Sequence, residues 1–290
     1  MTDTQNSLAG NSWRRTALYA TLVLLVVFYL MPLWTGLMAS IKADVLATAP
    51  FLPPSVGGFT TIHWTRAANA LAGGLVNSLI LAVPATILSA LLGSMAAYGL
   101  TTLDWRYQVP VLMLFIAGIF IPYQAVLIPL SKFWASIVPI SDLVGYVGLA
   151  GWVGDLIGLI ITHVAYGIPI CTLLFRTYYK DFNDEMVEAA RIDGATTHRI
   201  YRRIILPLSV PMFAVTLIYQ FTQIWNDLLF ALVLVGPGAG APVTVPLSQL
   251  GASLSEVGFG IRMAGAFVAA LPTIIVYVLF GEQFAKGVAT

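Results

Sequence analysis

Side chains able to hold a polyhydroxyl ligand gather in one short run of an otherwise apolar segment: Gln220, Gln223, Trp225, Asn226 and Asp227. Amides and a carboxylate hydrogen-bond hydroxyls, and an indole covers the apolar face of a sugar ring. An ionisable group in an apolar span points to function by default, although such a carboxylate can instead cap a neighbouring helix or reach the interface. Asn77, Gln124, His163 and Tyr166 are further polar groups in apolar surroundings, and for each the competing role is a hydrogen bond between helices. No catalytic constellation accompanies them. His63, His163 and His198 are far apart and lack Cys or carboxylate partners at ligand spacing, so no metal site is expected. The lone Cys171 excludes an intramolecular disulfide and reads as a buried, inert thiol. There is no GxxxxGK[ST] phosphate loop, so the chain is expected to bind no ATP and to catalyse no hydrolysis.

The second informative stretch is residues 184–211, DEMVEAARIDGATTHRIYRRIILPLSVP. Asp184, Glu185 and Glu188 suit the positive end of a helix dipole, and Asp193-Gly194 would end that helix, since glycine takes the left-handed C-cap conformation. Thr196 or Thr197 can cap the next helix. Ile200, Ile204 and Ile205 would then face the bundle or membrane, with His198, Arg199, Arg202 and Arg203 in water. Ala189 and Ala190 leave a shallow face that another protein can approach closely.

These stretches must be carried by membrane helices. The chain of 290 residues is 59% hydrophobic and 9% charged, with a mean hydropathy of +0.88, whereas soluble domains carry about 25% charged residues. An apolar core of about 30 Å needs about 20 helical residues, which places six spans at about 16–39, 73–100, 109–130, 157–178, 208–234 and 262–281. The first is too long for the apolar core of a signal peptide. Six spans put both termini on one side, which receives ten of the fourteen Lys and Arg; the other receives Lys42, Arg66, Lys132 and Arg262. By the positive-inside rule residues 1–15, 284–290 and the 184–211 loop are cytoplasmic. The net charge of +1 gives no global attraction for nucleic acid. Trp64 reads as an interface anchor, residues 131–156 as containing a short surface helix, and residues 235–261, with Ser253 and Ser255, as a loop able to enter the bundle.

The order of residues in EAARIDGATTHRIYRRIILP closely resembles the EAA loop of binding-protein-dependent ABC importer permeases: Glu188, Ala189, Ala190, Asp193, Gly194, Ala195, Leu206 and Pro207 match its fixed positions. Asn77-Ser78, Ile121-Pro122-Tyr123-Gln124 and Trp225-Asn226-Asp227 are similar to the maltose-type carbohydrate permeases, so the resemblance covers the whole chain from span one to span six. It implies an all-α, six-helix type I importer bundle with a cytoplasmic coupling helix between spans four and five. It further implies that Glu188, Ala189, Ala190, Asp193, Gly194 and Ala195 dock on an ATPase subunit. The partners so implied are a second permease, two ATPase subunits using ATP and Mg, and an extracytoplasmic sugar-binding protein, in the cytoplasmic membrane of a bacterium or archaeon. Family members often continue past a segment like Phe284-Ala285-Lys286-Gly287 with a glycine-rich basic tail. This sequence ends at Thr290, so no tail contact is assigned.

The substrate expected on this resemblance is a sugar. Glycerol phosphate or a polyol is the alternative in the same architecture, but a phosphate would want Lys or Arg in mid-membrane, and the spans hold none there. An ion-coupled secondary transporter would want several acidic residues, and an intramembrane enzyme paired catalytic groups. Asp227 stands alone.

Overall fold

The computed structural model describes residues 3–45, 49–103, 105–182, 184–251 and 256–288; Ser253 and Ser255 of the loop expected to enter the bundle lie outside them. The order of helices is α1 Asp3–Ser40, α2 Ile62–Gly99, α3 Gln108–Ile119, α4 Tyr123–Lys132, α5 Ile140–Gly145, α6 Gly151–Tyr179, α7 Asp184–Ile192, α8 Thr197–Ile200, α9 Leu206–Leu208, α10 Val210–Trp225, α11 Thr244–Gln249 and α12 Glu256–Val288. Single π-helical turns occupy Phe133–Ile137, Tyr201–Ile205 and Ala231–Val235.

Among the described residues, five segments are long and apolar enough to cross a bilayer: Trp13–Ser40, Ile62–Gly99, Tyr123–Gly145, Gly151–Tyr179 and Gly258–Glu282. A sixth arises if Thr197–Leu208 and Val210–Trp225, bent by 76°, count as one. The helices depart from the expected spans at several points. The second begins at Ile62 rather than 73, with Gly73-Gly74 inside the helix. The third, expected as one helix over 109–130, breaks after Ile119 because Pro122 starts α4 in an extended conformation and has no N–H to continue the ladder. The fifth, expected over 208–234, ends at Trp225. The last and first helices extend beyond 262–281 and 16–39 at both ends.

The chain forms two compact units. The first comprises residues 1–70 and 249–268. Here Lys42 is buried and donates from Nζ to the Ala49 carbonyl, while its own carbonyl meets His63 Nε2 at 3.0 Å. Trp64, expected as an interface anchor, donates to Ser40 Oγ and stacks on Phe267 at 5.9 Å between centroids. Arg262 closes the Leu250-Gly251 turn by donating to both carbonyls.

The second unit, residues 71–248 and 269–290, carries the polar groups of interest. Its helices approach closely through small residues, as membrane helices do. Gly154 admits the Ser141 backbone of α5, so the short helix expected in 131–156 lies directly on α6. Residues 239–243 of the loop after the π-helical turn are held to the middle of α2: Asn77 donates to the Ala239 and Ala241 carbonyls, and Ser78 Oγ accepts from Val243 N. Beneath that loop the adjacent glycines differ. A Cβ on Gly73 would meet nothing within 4 Å, whereas one on Gly74 would lie 2.9 Å from Val243 Cα. Gly74→Ala is therefore expected to destabilise the protein by about 1–3 kcal/mol. Gly73→Ala should be neutral or stabilising by up to about 1 kcal/mol. Thermal unfolding of the two purified variants in detergent distinguishes them.

Candidate functional site

The polar cluster is made by the premature end of α10. Asn226 closes the helix, its Nδ2 donating to the Thr222 carbonyl, and the chain turns at Asp227-Leu228 before the π-helical turn begins. Asp227 starts that turn: Oδ1 accepts from Phe230 N at 3.4 Å and Oδ2 from Ala231 N at 3.1 Å. Its carbonyl accepts from Thr244 Oγ1 of α11 at 2.7 Å. Asp227 thus caps its own following turn, the competing role weighed for it, and does a second thing besides. His163 Nε2 of α6 lies 3.4 Å from Asp227 Oδ2, an electrostatic pairing outside hydrogen-bond geometry, with both side chains only 7% exposed.

This pair stands in the wall of a cavity of about 310 Å³ lined by Tyr123, Tyr166, Tyr219, Gln220, Gln223, Asn226 and Asp227 among others. Buried Phe230 is the hub of one wall, its ring 5.0 Å from Tyr123, 5.2 Å from Tyr166 and 5.6 Å from His163. Aromatic faces beside amides, phenols and a carboxylate are groups able to stack on and hydrogen-bond a neutral polyhydroxyl compound, and the volume lies at the small end of ligand pockets. Of the residues singled out in the sequence, Gln220, Gln223, Asn226, Asp227, His163 and Tyr166 come together here. Three do not. Trp225 is buried and donates to the Ala269 carbonyl; Gln124 is exposed outside the cavity; Asn77 braces the loop described above. Tyr123 and Tyr219 join the lining unannounced by the sequence, since an aromatic residue in an apolar helix has the signature of ordinary packing.

The 184–211 segment forms a hairpin fastened to the ends of α2 and α6. Helix α7 ends at Ile192; Gly194 N–H bonds to the Arg191 carbonyl, Ala195 N–H to the Ala190 carbonyl, and Gly194 has φ of 76°. These two bonds with a left-handed glycine are the Schellman ending. Thr196 then caps α8, its Oγ1 accepting from Arg199 N. Val187, Ile200 and Ile205 are buried in one core with Ala97, Tyr98, Phe175 and Tyr179, while His198, Arg199, Arg202 and Arg203 are exposed. Ala190 and Ala195 pack against that core; Glu188, Ala189, Asp193 and Gly194 face outward. Beside them Ile192 is 81% exposed.

Below the core lies a buried knot of hydroxyls. Ser94 Oγ of α2 is 2.6 Å from the Tyr179 hydroxyl of α6 and 2.9 Å from that of Tyr201. Ser209, at the 76° bend, places its Oγ 3.2 Å from the same Tyr179 oxygen. Arg191 donates to the Thr102 carbonyl at 2.8 Å, and Tyr178 to that of Leu208 at 3.0 Å. The hairpin is therefore tied at several points to α6 and to the chain around the end of α2.

Apolar helices long enough to span a bilayer, with a polar cavity and a charged hairpin in the second unit, define a helical membrane permease. Residues 89–288 match the family described as the inner membrane component of binding-protein-dependent transport systems, and the chain belongs to that family. It is 52% identical over 286 residues to the xylose/arabinose import permease protein XacI of Haloferax volcanii, covering 96% of this chain and 93% of that one. It is 30% identical over 279 residues to the glucose import system permease protein GlcU of Saccharolobus solfataricus, covering 93% and 91%. Its fold resembles a chain from the crystal structure of a bacterial ABC transporter that imports the acidic polysaccharide alginate. The TM-score is 0.74 and the identity 19%, over 95% of this chain and 98% of that one.

Because Asp227 satisfies two backbone N–H groups, Asp227→Ala is expected to cost about 1–3 kcal/mol of stability, with Asp227→Asn, which keeps one acceptor, losing less. Thermal unfolding in detergent measures both. An unchanged midpoint for Asp227→Ala would remove the capping role.

Proposed function

We propose that this chain is the permease subunit of an ATP-driven sugar importer, working with a second permease, two ATPase subunits that use ATP and Mg, and an extracytoplasmic sugar-binding protein. It catalyses no reaction itself. The names of its relatives, which import xylose, arabinose or glucose, support a sugar, and so does the cavity, whose lining includes no Lys or Arg to hold a phosphate. Tyr166, Gln220, Gln223, Asn226 and Asp227 would meet the sugar on its way, while Trp225, Asn77 and Gln124 serve elsewhere. The surplus of Lys and Arg on the hairpin's side of the membrane supports cytoplasmic termini.

The observation that carries the reading is the hairpin's two-sidedness. Glu188, Ala189, Asp193 and the exposed Ile192 offer a docking face, and on the other side Tyr201 meets Ser94 of α2, which shares the Tyr179 hydroxyl of α6 with Ser209 at the bend before α10. A face that docks on a motor and is tied at its back to the cavity-lining helices works as a lever. Closure of the ATPase dimer would push the hairpin, and the bend at Ser209 would pass the movement to α10 and its cavity.

Glu188→Lys inverts one exposed charge on the docking face. Co-purification of the ATPase and sugar uptake are both expected to fall by about tenfold or more, with the thermal midpoint of the permease unchanged. Uptake at the unaltered rate would sink the coupling role. Separately, Gln223→Ala should raise the KM for sugar uptake several-fold while leaving ATPase association intact; an unchanged KM would remove Gln223 from the path.

A further inference from the structure

Hydroxyls inside apolar helices normally satisfy themselves by donating to the carbonyl one turn back, and in this chain Thr101, Thr162, Thr172 and Thr222 do so. Three buried hydroxyls do not. Thr86 and Ser89 on α2 and Thr216 on α10 have no hydrogen-bond partner in the protein, and Ser89 and Thr216 are fully buried. A buried hydroxyl without a partner is destabilising, so three of them in one unit call for a reason. Thr86 and Ser89 are three residues apart on one buried face of α2, and Thr216 and Gln220 are four apart on one buried face of α10.

Ser89 and Gln220 meet at Gly167 of α6. A Cβ built there would collide with both the Gln220 amide nitrogen and the Ser89 hydroxyl, so both reach the same point from opposite helices. Gln220 is at the same time part of the cavity lining. Its side chain thus has the polar cavity on one side and the unpaired Ser89 hydroxyl on the other, with only the missing side chain of Gly167 giving it room.

We infer that the unpaired Ser89 hydroxyl lies in a concealed inner extension of the polar cavity, and that Gln220, seated against Gly167, is the plug that closes it. The inference rests on reading the cavity as the sugar path. When Gln220 swings away, its vacated place joins the cavity to Ser89, whose hydroxyl gains water or a sugar hydroxyl as partner. Glycine is needed at position 167 because any side chain there would keep the plug from seating.

The test uses the full chain in lipid vesicles and a small, water-soluble methanethiosulfonate reagent, with buried Cys171 as an internal control. Ser89→Cys alone should label slowly. Adding Gln220→Ala, or independently Gly167→Ala, should speed labelling at position 89 by roughly tenfold or more, with Cys171 remaining silent. Equal, slow labelling with and without Gln220 would overturn the inference, as would fast labelling while Gln220 is present. If both second substitutions expose Cys171 together with position 89, the seam is merely packing and the inference is again overturned. A Gln223→Cys variant tests the underlying path separately: D-xylose or D-glucose should slow its labelling. Failure of that protection counts against the sugar path and leaves the plug measurement standing.

Discussion

The Tyr179 hydroxyl, between Ser94 and Ser209, is the contact on which the second unit's organisation depends. It is buried among groups that have no water to fall back on, so breaking it would leave several polar atoms unsatisfied at once. It joins the end of α6 to α2 and to the bend before α10, and Tyr201 extends the same knot into the hairpin. The hairpin's apolar core adds Val187, Ile200 and Ile205 around it. A cluster of hydroxyl contacts in a buried core resists sliding and fraying of the helices that it joins.

Membrane burial also explains where the helices break. Every backbone group in the apolar layer needs an internal partner, so each break must be compensated locally. After Trp225 the Asp227 carboxylate receives the N–H groups of Phe230 and Ala231 and starts a new turn. Thr244 holds the Asp227 carbonyl, and Asn77 holds the carbonyls of the loop that follows. The break that these groups make affordable is what opens the cavity: a continuous α10 would carry Asn226 and Asp227 past it as helix interior. One carboxylate therefore supports the fold, faces His163 and lines the polar cavity.

Much of the hairpin is legible in the sequence because its signals are local. Asp193-Gly194 stops a helix, Thr196 starts one, and the alternation of Ile with Arg assigns the faces, all within twenty or so residues. What the sequence hides is non-local. Asn77 reads as a candidate ligand until its partners, Ala239 and Ala241, appear more than 160 positions away. Trp225 reads as a sugar platform until Ala269 takes its N–H. Gly73-Gly74 reads as a helix start, although Gly74 exists for the close passage of Val243. The breaks at Pro122 and Asn226 were hidden because an apolar window measures length and not continuity. Tyr123 and Tyr219 were hidden because a cavity wall and a packing surface use the same side chains.

The most direct measurement is the coupling of the hydroxyl joint, made on the assembled transporter with Tyr179→Phe and Ser209→Ala combined. These changes remove oxygens from the joint and leave the docking face untouched. The lever account predicts that the ATPase still co-purifies in full, while sugar taken up per ATP hydrolysed falls sharply. Full association with an unchanged ratio of sugar to ATP would contradict it.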